Sequence, residues 1–374
     1  MKRVPLFPIL SILLCFTWFA CERVGPDTDP EEVGISDVPD VIVFFPPNGP
    51  GDNGYLDKVL GAVSSFSIEY PGKVRIVRTT EEYTDSLGAD LLIPVVEWMI
   101  MSDTHKDTTL AVFVGSEFKD ILYRSKTPEG RMKVLLIEDD GKGAPEWLHT
   151  CKIERYGACW LSGAMVAQQR AVIIAAKPDD PVLERSIEGF KKGYGSIKGR
   201  EVDSVYYLAN DYKGFTMQKK ARTIVDSLQK GNDMWDYCTV FPLAGAANIG
   251  VYNGLHEATC VQAVGMDKDY SQISDNIPFS INVGIDSLII DYLNKWHDAR
   301  ILPKRRVEGL GSKYVDIIFN EQWNSLNLFY DWEDENHEFD IGFIENELKS
   351  EFWKMRYAMF IDKAMEEEKA YAEY

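Results

Sequence analysis

The stretch PPNGPGDNGYLDK, residues 46–58, carries side chains that could grip a small molecule. Asp52 and Asp57 offer carboxylates, Asn53 an amide, and Tyr55 an aromatic face with a hydroxyl. A carboxylate takes charge-assisted hydrogen bonds from hydroxyls, and an aromatic ring stacks on a flat apolar face. The same composition also builds an ordinary turn, with Asp52 and Asp57 as turn or capping residues and Tyr55 packing at a helix start. Asp267, in AVGMDKDY, offers another carboxylate, with helix capping as its alternative. In FPLAGAANIG, residues 241–250, Phe241, Gly245 and Asn248 belong to a strand-to-helix turn. Its backbone N–H groups either face an anion or simply close a tight turn. Trp98 and Glu117 are ligand candidates by loop position alone.

The common enzyme templates are missing. The sequence holds no GxSxG elbow, no Walker A loop and no HExxH. Carboxylate pairs such as Asp139 and Asp140 are expected by chance among 59 acidic residues, so they do not argue for acid–base catalysis. With five histidines and no Cys/His zinc spacing, no metal site is expected, and no cofactor either. The chemistry on offer is binding, not catalysis.

The elements around these residues alternate. The apolar run VIVFF reads as a strand buried on both faces, and LDKVLGAVSSFSIEY has helical spacing. VRIVRT, LLIPVV, LAVFVG and KVLLIEDD continue the strands of a first half. AVIIAAK, SVYYLA, CTVFPLAG and CVQAVGMD form a second series, separated by helices such as the one after Asp180 and Pro181. Two βαβ series imply an α/β fold of two doubly wound lobes with parallel sheets. Ligands bind such sheets outside the strand C-termini, which here are the loops 46–57, 97–104, 116–119, 139–144, 244–248 and 267–271. Cys238 and Cys260 head two strands expected to be neighbours, which fits a disulfide or a pair of buried thiols.

The formal net charge of −19 argues against nucleic acid and against an anionic membrane surface as partner. The start, MKRVPLFPILSILLCFTWFAC, reads as an export signal over residues 1–20. Its basic n-region and short apolar core are followed by Cys21, the expected lipidated first residue of a bacterial cell-envelope lipoprotein. Ordinary secretion with an incidental cysteine is the alternative. Residues 21–38 read as a flexible tether, and residues 321–374 as an acidic, aromatic extension ending in a long helix.

Several of these segments together resemble the basic membrane protein (BMP) family of substrate-binding lipoproteins. GDNGYLDKVLGAV is similar to its first-loop motif, and ERYGACWLSGAMVAQQ to its Gly/Ala-rich helix. IEGFKKGY, FPLAGAANIGVYNGLHE, AVGMDKDYSQISDNIPFSINVGID and GLGSKYVDIIFN follow in the family's order, over roughly residues 40–320. The resemblance implies a type I periplasmic-binding fold with a three-stranded hinge. It implies an N-terminal lobe of residues 39–152 plus about 276–305, and a C-terminal lobe of 153–275 plus about 306–320. It also implies a purine-nucleoside-like ligand handed to an ABC permease. Tyr55 would stack, with Asp52, Asn53 and Asp57 beside it. Gly245 and its neighbours would offer backbone groups, and Asp267 would accept from ribose hydroxyls. Val283 stands where the family carries a lysine, and Asn248 where it favours glycine. A surface lipoprotein with a degenerate site, acting in assembly or signalling, is the alternative expectation.

Overall fold

In VIVFF every residue is apolar, so this segment can lie only where both faces of a sheet are covered. The computed structural model describes residues 40–47, 49–79, 108–128, 132–166, 170–197, 199–230, 237–257, 260–321 and 346–373. The expected strand LLIPVV, Trp98, Cys21, the signal and the tether lie outside the described residues. Strand β1 (Val41–Phe45) is buried throughout. It pairs in parallel with β2 (Val74–Arg78) and β3 (Thr109–Val114). Phe44 stacks on its register partner Phe113 with centroids 4.5 Å apart. The parallel series continues through β4 (Met132–Ile137) and β5 (Leu148–Ile153). The first helix, α1 (Tyr55–Glu69), covers this sheet with Leu56, Val59, Ala62, Val63 and Phe66. A short α2 (Lys119–Arg124) follows β3.

After β5 the chain enters α3 (Tyr156–Met165) and a second parallel sheet, ordered β7-β6-β8-β9. Its strands are β6 (Arg170–Ala175), β7 (Ser204–Tyr207), β8 (Cys238–Leu243) and β9 (Val261–Ala263). They alternate with α4 (Pro181–Gly195), α5 (Gln218–Lys230) and α6 (Asn248–Gly254). All ten residues of α3 are buried. Its contact with α4 is close because the glycines leave no side chain in the way. A Cβ on Gly193 would collide with the Trp160 carbonyl, and one on Gly163 with that of Phe190.

A third sheet joins β10 (Gly265–Asp267), β11 (Phe279–Val283) and β13 (Val315–Phe319). From β11 the chain returns through α7 (Ile285–Ala299), which packs on α1, to β12 (Arg305–Glu308). That strand adds in parallel to β5, completing a first sheet ordered β12-β5-β4-β3-β1-β2. The chain therefore passes between the two lobes at Glu154–Arg155, at Gly284 and over 309–314. The α/β fold of two doubly wound lobes on a hinge is as expected.

Cys238 and Cys260 do adjoin, with the Cys238 N–H donating to the Cys260 carbonyl at 3.0 Å. Of the two alternatives, a disulfide and a pair of buried thiols, the structure shows the second. Register explains this. Cys238 pairs with Val261, so Cys260, one residue earlier, points to the other face of the sheet.

The extension ends in α8 (Asn346–Glu373), which lies antiparallel along α3. Trp353 and Ala364 are fully buried. The buried Arg356 donates to the Met165 and Ala164 carbonyls, each at 2.7 Å, at the C-terminal end of α3. Glu368 sits at the other end and accepts from the Gly157 N–H at 2.8 Å and the Leu310 N–H at 2.9 Å. Cation at the C-terminus and carboxylate at the N-terminus both complement the dipole of α3. The last turn of α8 touches both lobes. The Tyr371 ring stacks on Tyr156 at 4.0 Å and its hydroxyl donates to Glu188, while Lys142 donates to the Ala372 carbonyl at 3.2 Å. No described helix is long and apolar enough to cross a membrane.

Burial pushes the Glu368 carboxyl up to about 7, with backbone hydrogen bonds opposing. Its folded value is above the unfolded one, so its favourable contribution is present in acid and is lost as pH rises through about 7. Melting between acid and mildly alkaline pH is therefore expected to fall less for Glu368→Gln than for wild type, as scanning calorimetry would read.

Candidate functional site

The C-terminal ends of β1, β3 and β4 face those of β6, β8 and β10 across a cleft of about 380 Å³. This is within the range of small-molecule sites. The loop after β1, Gly115–Glu117 and Glu138 supply the first wall. Asp180, Phe215, the turn at Ala244–Ala246, Asn248 and Asp267 supply the second.

At the floor, the Arg155 guanidinium grips Glu138 with two hydrogen bonds, at 3.0 and 2.8 Å. Arg155 is 7% and Glu138 9% exposed, so the ions screen one another rather than being screened by water. Burial works against the Arg155 charge, but Glu138 more than offsets it and the guanidinium stays charged. The same guanidinium lies 5.1 Å from the centre of the Tyr55 ring, a cation–π contact. The Tyr55 hydroxyl is buried and makes no hydrogen bond of ordinary geometry to another described residue. Burial, and secondarily Glu138, push this phenol well above its ordinary value. Glu138 and Asp267 both adopt left-handed backbone, at φ 72° and φ 71°. For residues with side chains this costs energy and clusters at ligand sites.

Two cleft carboxylates find no partner elsewhere in the described chain. Burial pushes Glu117 up to about 7, with Asp180 and Glu138 adding to the effect. Gly115, at φ 126°, makes room for it, since a Cβ there would strike the Glu117 carboxylate. Burial pushes Asp267 up to about 6, Arg155 opposing and Asp52 adding.

Of the residues expected from sequence, Asp52, Tyr55, Glu117, Gly245, Asn248 and Asp267 line the cleft. Asp52 is at the same time the anchor of α1. It accepts from the N–H groups of Gly54, Leu56 and Asp57 at 2.9, 2.8 and 3.1 Å. Asn248 holds its turn by accepting from the Ala244 N–H at 2.9 Å. Gly245 lies beside Phe215.

Asp57, Asn53 and Phe241 do not line it. Asp57 folds the loop, accepting from the Gly51 and Asn53 N–H groups at 2.6 and 2.7 Å. Asn53 locks the loop to the second wall through Lys268 at 2.7 Å and the Tyr270 hydroxyl at 2.9 Å. Phe241, expected at the ligand, lies in the core and stacks on Phe190 at 4.2 Å. Trp98 is outside the described residues.

Sequence reading missed Glu138, Arg155, Asp180 and Phe215. Only Asp180 left a signal, as the cap of α4, and it does accept from the Val182 and Leu183 N–H groups at 3.0 and 3.1 Å. It also missed Lys58. From α1 its ammonium reaches the Asp267 and Val283 carbonyls at 2.9 and 2.7 Å and Asn282 Oδ1 at 2.8 Å. A lysine thus arrives next to Val283 from another element, spent on tying the first loop to the crossover sheet. Lys58→Met is expected to cost about 1.5–3 kcal/mol, the worth of hydrogen bonds to a charged group. Urea denaturation would measure it.

The two parallel sheets, the three-stranded crossover and the cleft define the type I periplasmic solute-binding fold. No family model matches the sequence, and no curated protein matches it. Solved structures do match. A solute-binding protein of an ABC transporter system from Aeropyrum pernix K1 is 18% identical with a TM-score of 0.60, over 88% of this chain and 89% of that one. A transcriptional activator of the comK gene from Bacillus halodurans is 15% identical with a TM-score of 0.58, over 86% and 97%. An ABC transporter periplasmic solute-binding protein from Actinobacillus succinogenes 130z, with bound D-allose, is 10% identical with a TM-score of 0.57, over 76% and 99%. At these identities the likeness establishes the fold, and function has to be argued from the site.

Proposed function

We propose that this chain is a solute-binding protein that closes its two lobes on one small hydroxylated ligand and delivers it to an ABC permease. The observation that carries this is the interlobe cleft, where unpartnered Glu117 and Asp267 accompany Tyr55 and Phe215. Carboxylates take hydroxyls, and aromatic faces take the apolar face of a sugar or a base. A neighbour of this fold binds D-allose, which supports a sugar. The resemblance of GDNGYLDKVLGAV and its companion segments supports a nucleoside. Cys21 would carry the lipid that anchors the protein in a bacterial cell envelope, facing the periplasm or the cell surface, and the mass of the mature chain tests that.

A thermal-shift screen of sugars, nucleosides and amino acids tests solute capture. A binder present at about 100 times its Kd adds about 2.7 kcal/mol, a readily measured rise in Tm. The rise is expected from a hydroxylated solute and should vanish in Tyr55→Ala. No rise with any member of the panel contradicts the proposal. A second reading, a surface protein of assembly or signalling, is favoured by α8, whose last turn joins both lobes beside the hinge.

A further inference from the structure

Among the described residues, every charge lining the cleft is bonded to another residue except two. Glu138 is held by Arg155, and Asp52 by three backbone N–H groups. Asp180 caps α4 and faces Lys177 at 3.9 Å. Lys58 is spent on two carbonyls and Asn282, and Arg78 donates to the Pro47 carbonyl at 3.4 Å. Glu117 and Asp267 remain, one on each wall, along with the buried Tyr55 hydroxyl. Glu117 faces Asp180, Glu138 and Lys177. Asp267 faces Arg155, Asp52, Lys58 and Glu138. The cations near them are already committed, so a bound anion would meet spare carboxylates.

We infer that the cleft selects a hydroxylated ligand bearing a protonated amine, its ammonium taken by Glu117 or Asp267, and that it rejects phosphorylated and carboxylate ligands. This deepens the solute-capture reading and rests on it. An ammonium restores the charge balance that burial disturbs in both carboxylates, which a hydroxyl does only in part. Both carboxyls sit high, at about 7 and about 6, so near those pH values each is partly protonated until such a ligand draws the proton off. Binding should then release protons, and affinity should fall as pH drops through about 7 where Glu117 takes the ammonium, or through about 6 where Asp267 does.

Calorimetric titration of matched sets tests the inference. The sets are glucosamine, glucose and glucose 6-phosphate; galactosamine, galactose and galactose 6-phosphate; and 3′-amino-3′-deoxyadenosine, adenosine and adenosine monophosphate. In at least one set the amine is expected to bind about 10-fold or more tighter than its neutral parent, as a charge-assisted bond adds. The phosphorylated member should not bind. The preference should shrink in Glu117→Gln or Asp267→Asn, with both variants melting no lower than wild type. A neutral parent that binds as tightly as its amine, or a phosphate that binds, overturns the inference while leaving solute capture standing. No binding by any member overturns both.

Discussion

Arg155→Ala is expected to destabilise the protein by about 3–5 kcal/mol, the usual cost of leaving one partner of a buried ion pair alone. Glu138 would keep its buried carboxylate and lose both guanidinium hydrogen bonds, leaving a buried charge without its partner. Arg155 also stands at the first passage of the chain between the lobes and lies against Tyr55. Its removal therefore frees the tyrosine as well as the hinge. Replacing both ions by apolar residues, Arg155→Met with Glu138→Leu, should restore much of the stability, because no orphan charge remains. It should not restore ligand binding. Guanidinium denaturation, followed by the fluorescence of the nine tryptophans, reads the first effect, and the thermal-shift screen reads the second. A single mutant as stable as wild type would show that the pair is not buried as described.

Trp353→Ala should have a comparable effect, about 3–5 kcal/mol, the range for deleting a large buried aromatic. Trp353 is 0% exposed and packs on Phe279 of the crossover sheet with ring centroids 5.2 Å apart. One turn on, Arg356 closes the C-terminal carbonyls of α3. Loosening α8 at Trp353 should therefore loosen the end of α3, a helix with no exposed face of its own. Amide exchange is expected to rise in α3 and in 309–314 as well as in α8, since Glu368 binds Gly157 and Leu310. If α8 were a loosely attached tail, exchange would rise in α8 alone and the melting temperature would not move. The same contacts give the extension a role in lobe motion. Its last turn is hydrogen-bonded to Lys142 on one lobe and to Glu188 on the other, so hinge closure has to carry it along.

The strands with continuous apolar runs, such as VIVFF and AVIIAAK, were legible because a strand buried on both faces needs apolar residues at every position. LHTCKI and RRVE were not, although they form β5 and β12. Their polar residues are internally paired, Lys152 with Glu154 and Arg306 with Asp291 and Glu308, and no local pattern announces such pairing. CVQAVGMD reads as one strand, yet it is divided between the second sheet and the crossover sheet on either side of Val264. The Asp52–Tyr55 loop and Asp267 could be found by turn composition at strand ends. Glu138 and Arg155 could not, because each gains its meaning only from the other, across a fold that brings β4 and the start of α3 together. The orientations of Phe241 and of Cys238 and Cys260 were illegible for one reason. Strand side chains alternate faces, and sequence alone does not say which face meets the cleft.

A structure of the protein with the solute that stabilises it most tests the central claim directly. The account predicts one solute molecule between the lobes, against Tyr55 and Phe215, with a polar group on Glu117 or Asp267 and the lobes closed around it. Solute bound elsewhere on the surface, or an unfilled cleft at saturating concentration, would contradict it.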